Sequence, residues 1–227
     1  MADLVGYNFA LKAEYDKGDY KSQFYKMEKL NLSDFDAIQN NAGSRLVLKV
    51  ERGPAYGVWI SEDLADKVRI TKTNKTLHIN KTSNEKQTLE QGIIITCPVL
   101  NKISVLPDTV WNYKRSRSFS YTFYNAGGHT EVKGFSQDTM VVIAGQYTSV
   151  NLHNNKLNTL KATVGKALGR EAYLTINGDN HINTAHLEVF DQNQLNLYDI
   201  AFNKGNYKFS KNAKINLTGK SLQLFKK

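Results

Sequence analysis

Val150-Asn151-Leu152, Leu174-Thr175-Ile176, Leu195-Asn196-Leu197 and Ile215-Asn216-Leu217 repeat one pattern along the last third of the chain: apolar, polar, apolar. Their first residues stand 24, 21 and 20 positions apart, within the periods that mark stacked repeat architectures. A two-residue alternation is the signature of a half-buried strand. A short strand that returns once per rung predicts a β-solenoid. The outer residues of each triplet then line one interior wall, each contributing roughly 1.5–3 kcal/mol when fully buried. The middle residues, Asn151, Thr175, Asn196 and Asn216, fall on the outer face. Rungs about 4.8 Å apart let such side chains hydrogen-bond along the stack.

A longer repeat supports the same reading. Leu157-Asn158-Thr159-Leu160-Lys161-Ala162-Thr163-Val164 has a near copy 25 residues on, Ile182-Asn183-Thr184-Ala185-His186-Leu187-Glu188-Val189. Gly165, Gly169, Gly178, Gly205 and Gly219 are expected between rungs, where tight corners need positive φ. Ser221-Leu222-Gln223-Leu224-Phe225 alternates like a final strand, and Lys226-Lys227 places charge on the exposed end.

Upstream, strand candidates follow one another closely: Leu46–Val50, Gly57–Ile60, Lys67–Ile70, Thr76–Ile79, Gly92–Thr96 and Lys102–Val105. Ser61–Asp66 reads as a single helical turn, and Thr73-Asn74-Lys75 as a turn between strands. Helical periodicity is nearly absent, and β-branched and aromatic residues crowd the strand candidates. The class is all-β. Residues 1–33, with Tyr7, Phe9, Tyr15, Tyr20 and Phe24 among charged residues, read as an N-terminal appendage or stalk remnant. Residues 34–227 read as the solenoid domain. Within it, 109–135 breaks the rung spacing and reads as an irregular rung or a protruding hairpin.

The order Phe35-Asp36-Ala37-Ile38, Leu46–Val50, Val58-Trp59-Ile60, Glu62-Asp63-Leu64, Lys67–Ile70 and Leu77-His78-Ile79 resembles the opening of the putative auto-transporter adhesin family (head GIN domain). Ile103-Ser104-Val105 and the later rungs agree with that layout. The resemblance covers about residues 34–227 and rests on hydrophobic spacings. It implies a right-handed parallel β-helix (single-stranded solenoid) and an exported bacterial protein of the periplasm, outer membrane or cell surface. The family's Ser-Gly-x-Gly corners are mostly replaced here by Asn-rich ones such as Asn151, Asn154, Asn155 and Asn158.

Bulk properties narrow the function classes. The net charge is +9. Residues 1–36 carry about −2, residues 37–150 about +5 and residues 151–227 about +6. Lysines scattered singly in this way read as a solvated surface, with weak salt-sensitive attraction to polyanions and no specific nucleic-acid site. The longest apolar runs, Gly92–Ile95 and Met140–Ala144, are too short for a membrane-spanning helix. The first residues lack the basic and apolar regions of a signal peptide. Cys97 is the sole cysteine, which excludes an internal disulfide and a multi-Cys zinc site. It lies in an apolar run and reads as a small buried hydrophobe.

No nucleotide loop, nucleophile elbow or cofactor motif is present. The five histidines lack ligand spacing, His181 and His186 included, so no metal is expected. Asp179, Asp191 and Asp199 fall on successive rungs and are the weak candidates for acid/base chemistry on a glycan; Asp is expected at turns, which favours reading them as solvated corner acids. Trp111, Tyr113, Arg115, Arg117 and Tyr121 are the ligand-binding candidates. Aromatic faces stack on sugar rings, and arginines between them hold carboxylates or sulfates. The same alternation also suits a core strand with a charged edge. Two functional classes follow. One is a non-enzymatic, exported surface or envelope binder whose partner is a glycan or another cell-surface component. The other is a polysaccharide lyase or hydrolase on the same scaffold.

Overall fold

The computed structural model describes residues 22–82, 89–107, 128–165 and 172–225. Its strands are β1 (Met27–Leu30), β2 (Ala37–Asn40), β3 (Leu46–Arg52), β4 (Gly57–Ser61), β5 (Val68–Thr73), β6 (Thr76–Lys81), β7 (Leu89–Cys97), β8 (Lys102–Val105) and β9 (His129–Lys133). They continue as β10 (Ser136–Ala144), β11 (Ser149–His153), β12 (Lys156–Val164), β13 (Tyr173–Asn177), β14 (His181–Val189), β15 (Gln194–Tyr198), β16 (Phe202–Phe209) and β17 (Lys214–Thr218). Short 3₁₀ turns at Glu62–Leu64 and Gly219–Gln223 are the only named helical elements among the described residues. The protein is all-β.

Two large mixed sheets hold these strands. One has nine strands in the order β1-β4-β7-β3-β9-β11-β13-β15-β17, the other eight in the order β16-β14-β12-β10-β8-β2-β6-β5. From β8 onward the chain changes sheet at every strand. Each strand pairs in parallel with the strand two places earlier or later. The triplets sit directly over one another. Val150 pairs Leu174, Leu174 pairs Leu195 and Leu195 pairs Ile215; Asn151, Thr175, Asn196 and Asn216 form the next row. The longer repeat also pairs in its own register, Leu157 with Ile182 through Val164 with Val189.

Alternation sends one set of side chains between the sheets. Val150, Leu152, Leu174, Ile176, Leu195 and Leu197 are fully buried, while Ile215 and Leu217 on the last rung remain half-buried. The core is continuous from Phe35 to Ile200.

The front of the molecule departs from the parallel stack that the repeats imply. β1 with β4, β4 with β7, and β5 with β6 are antiparallel. Asn74, at φ 54°, closes a two-residue turn, which brings β5 and β6 together without a crossover. β1 lies within the segment read as an appendage, yet it forms an edge strand of the larger sheet, with Phe24 stacked on Trp59 at 4.3 Å. Residues 129–133, assigned to the irregular stretch, form β9, a regular rung between β3 and β11.

Two local readings are also corrected. Gly205 lies inside β16, beneath the ring of Tyr207, rather than at a corner. Ser221–Phe225 is not a strand. Gly219 turns the chain at φ 58°, and the buried Ser221 hydroxyl accepts from Ile200 N at 3.0 Å and donates to Ile200 O at 2.9 Å. That contact pins the segment as a 3₁₀ cap over the last rung.

Candidate ligand groove at the tight corner

From β9 onward the chain turns at two kinds of corner. Passing from the larger to the smaller sheet takes two or three residues: Gly134-Phe135, Asn154-Asn155, Gly178–Asn180 and Asp199–Ala201. Returning takes four or more, and the return between β8 and β9 includes residues 108–127. Three of the four tight corners rely on left-handed backbone. Gly134, Asn154 and Asp199 have φ of 79°, 50° and 54°, and Asn and Asp are among the non-glycine residues that best tolerate this region.

Buried amides hold these corners in register. Asn155, fully buried, accepts from Phe135 N at 3.0 Å and donates to Val132 O at 3.1 Å and Asn180 Oδ1 at 2.9 Å. Asn180 donates to Leu152 O and Asn177 O, both at 2.8 Å. Asn193 has the same duty at an opposite corner, accepting from Ala172 N at 2.9 Å.

Two ladders of amides run outside. Asn216 donates to Asn196 Oδ1 at 2.9 Å, and Asn196 donates to Thr175 Oγ1 at 3.1 Å. This ladder joins three of the four positions of the row expected from the triplets, Asn151 standing outside it. The second ladder joins Asn203 to Asn183 at 2.8 Å, Asn183 to Asn158 at 2.9 Å and Asn158 to Asp138 at 2.9 Å. Donation from Thr139 and then Asn158 holds the Asp138 carboxyl below its usual range.

Beside the second ladder lies an open groove of about 700 Å³. Asn158, Asn183 and Asn203 line it together with Lys156, His181, Asp199 and Lys220. Lys156 and His181 are register partners on neighbouring rungs. The rim therefore carries two lysines and a histidine against one carboxylate. Each ladder amide has one N–H not spent on the ladder among the described residues, so the groove presents a row of donors one rung apart.

The expected site residues are distributed unevenly. Asp199 lines the groove, with its Oδ1 accepting from Lys220 N at 2.9 Å. Asp179 is on the adjacent turn, 3.4 Å from His153 Nδ1 and accepting from Asn180 Nδ2 at 3.1 Å. Asp191 is at an opposite corner, separated by the length of β14, about 30 Å of extended chain. Trp111, Tyr113, Arg115, Arg117 and Tyr121 lie outside the described residues. Cys97 is fully buried, and burial, with a smaller contribution from Asp36, pushes its thiol up to about 12. Among the described residues no three His, Cys, Asp or Glu side chains are placed to hold a metal.

Sequence reasoning missed Lys156, His181, Asn203 and Lys220 as a set. The available signal was spacing: Asn158, Asn183 and Asn203 are 25 and 20 residues apart, the rung period.

No family model matches the chain, and no curated protein sequence does. Its fold resembles solved structures. One is a "putative adhesin" from Bacteroides fragilis NCTC 9343, with TM-score 0.53 and 10% identity over 84% of this chain and 95% of that one. Another is a "putative adhesin" from Parabacteroides merdae ATCC 43184, with TM-score 0.50 and 13% identity over 83% and 79% of the two chains. At these identities the likeness is one of fold.

Proposed function

We propose that this chain is a non-catalytic binding protein. In this reading it is a right-handed parallel β-helix of the head GIN kind, exported to the bacterial envelope or surface, where it contacts a glycan. The parallel rungs of β8–β17 support the architecture, and parallel crossovers are right-handed as a rule. The fold likeness to two proteins named "putative adhesin" supports the class.

The groove carries the glycan reading. A sugar polymer offers hydroxyl acceptors and donors at each unit along its length. Stacked amides one rung apart match such a repeat, and the flanking lysines add charge-assisted donors. Trp111, Tyr113, Arg115, Arg117 and Tyr121 form a second contact surface in this proposal.

A glycan array tests it. Asn183→Ala should weaken binding about tenfold, the worth of one or two hydrogen bonds. Trp111→Ala should lower binding while leaving folding intact. An array on which the parent binds nothing removes the reading.

One observation favours an enzyme instead: Asp179 and Asp199 share a corner on adjacent turns. Against it, both carboxylates have partners in the fold. Release of reducing or unsaturated sugar ends by the parent, lost in Asp199→Asn, would establish the enzyme and overturn the binder.

A further inference from the structure

The positive charge that looks scattered along the sequence is gathered at one end of the molecule. Residues 201–227 contain seven lysines and no acid, against a net charge of +9 for the whole chain. Five of them, Lys204, Lys208, Lys211, Lys214 and Lys220, are described, and all are exposed. They lie on the last strand of each sheet and its connections. Only Lys208 meets a carboxylate among the described residues, Glu188 at 3.6 Å. The opposite end is mixed in sign, with Glu28, Glu62, Asp63 and Asp66 near Lys29, Lys67 and Arg69.

This basic end also brings apolar side chains to solvent, as Val99 and Tyr198 do elsewhere. Leu222 is 51% exposed and Phe225 39%. Phe225 packs on Tyr207 and Phe209 at 4.9 and 6.0 Å, and Phe202, Ile215, Leu217 and Leu224 are only half-buried behind them. Lysines on an edge strand by themselves guard against strand pairing. That duty does not call for an exposed leucine and phenylalanine on the same end.

We propose that the C-terminal end of the stack docks on an anionic lipid surface. Leu222 and Phe225 enter the headgroup layer, and the surrounding lysines pair with lipid phosphates. Apolar side chains together with exposed lysines on one end are the composition of interfacial lipid binding, in which buried area and attraction to anionic headgroups act together. The end is specific to this partner in sign. A second copy presenting the same end would meet like charge, and a neutral surface would leave the lysines unpaired. The stack would stand end-on, with the groove along its side bordering the membrane at Lys220, which the two sites share.

Vesicle flotation tests this. The parent should float with phosphatidylcholine vesicles that contain phosphatidylglycerol and not with phosphatidylcholine alone. Lys208→Glu/Lys214→Glu/Lys220→Glu should abolish flotation. Lys67→Glu/Lys75→Glu/Lys102→Glu, with the same net charge change far from this end, should retain it. Leu222→Ser/Phe225→Ser should lower partitioning about tenfold while leaving binding to dextran sulfate unchanged. Far-UV circular dichroism and a thermal melt confirm that each variant folds. Equal loss in the two lysine triples would show a generic charge effect and overturn the proposal. Unchanged partitioning of the Leu222/Phe225 variant would overturn it in favour of a polyanion site.

Discussion

Asn155 and Asn180 occupy successive tight corners 25 residues apart, and the Nδ2 of Asn155 lies 2.9 Å from the Oδ1 of Asn180. Between them they pair the backbone of three rungs. Asn180→Ala would strip the acceptor from Asn155 N and the donors from Leu152 O and Asn177 O. We expect a loss of roughly 2–4 kcal/mol in urea denaturation, because buried groups left unpaired bear their full desolvation cost. Asn183→Ala, in the exposed ladder, should cost about 1 kcal/mol or less.

Two glycines with nearly the same backbone angle should respond differently to alanine. Gly134 has φ 79° and open surroundings, with Arg52 Cβ 3.9 Å from the added carbon. Gly165 has φ 76°, and its added carbon would run into the Asn193 side chain. Gly134→Ala should cost about 1–2 kcal/mol from the left-handed backbone alone. Gly165→Ala should cost roughly 2–4 kcal/mol, since Asn193 must also release Ala172 N. Paired denaturation curves decide the matter.

Cys97 should resist iodoacetamide at pH 8 in the native protein and react once the chain is unfolded. Its thiol stays protonated up to about 12 when folded, against an ordinary 9.0. Between these values the unfolded chain gives up a proton that the folded chain keeps, so rising pH favours unfolding. Below 9.0 the protection is complete. Relative to Cys97→Ala, the parent should lose about 1.4 kcal/mol of stability per pH unit across that window.

The last rung should open before the rest. Ile215 and Leu217 are half-buried where their counterparts on earlier rungs are fully buried, and Ser221 fastens the cap through Ile200. Ser221→Ala should raise hydrogen exchange in β16 and β17 by about tenfold or more, leaving β11 and β13 nearly unchanged. Uniform acceleration across all rungs would show that the end does not open separately.

Much of this architecture was legible in the chain. The Val150, Leu174, Leu195 and Ile215 spacing gave the register of four rungs, because stacked strands must repeat their apolar side once per turn. Strand direction was not legible in this way. Trp59 and Ile60 alternate as any strand does, and nothing local distinguishes antiparallel β4 from a parallel rung. Ser221–Phe225 also alternates, but the Ser221 hydroxyl pairs with the Ile200 backbone and holds the segment as a cap. The groove was harder still. Lys156, His181 and Lys220 converge only after three rungs are stacked, and each residue alone is an ordinary surface side chain.

Both outer ladders donate in one direction, from Asn203 toward Asp138 and from Asn216 toward Thr175. Each therefore starts at the final rung with an amide oxygen that no described donor occupies. An additional rung bearing an asparagine at the same place would find its acceptor already waiting. A further rung in the same register would thus be received by both ladders at once, provided the Gly219–Gln223 cap moved outward with it.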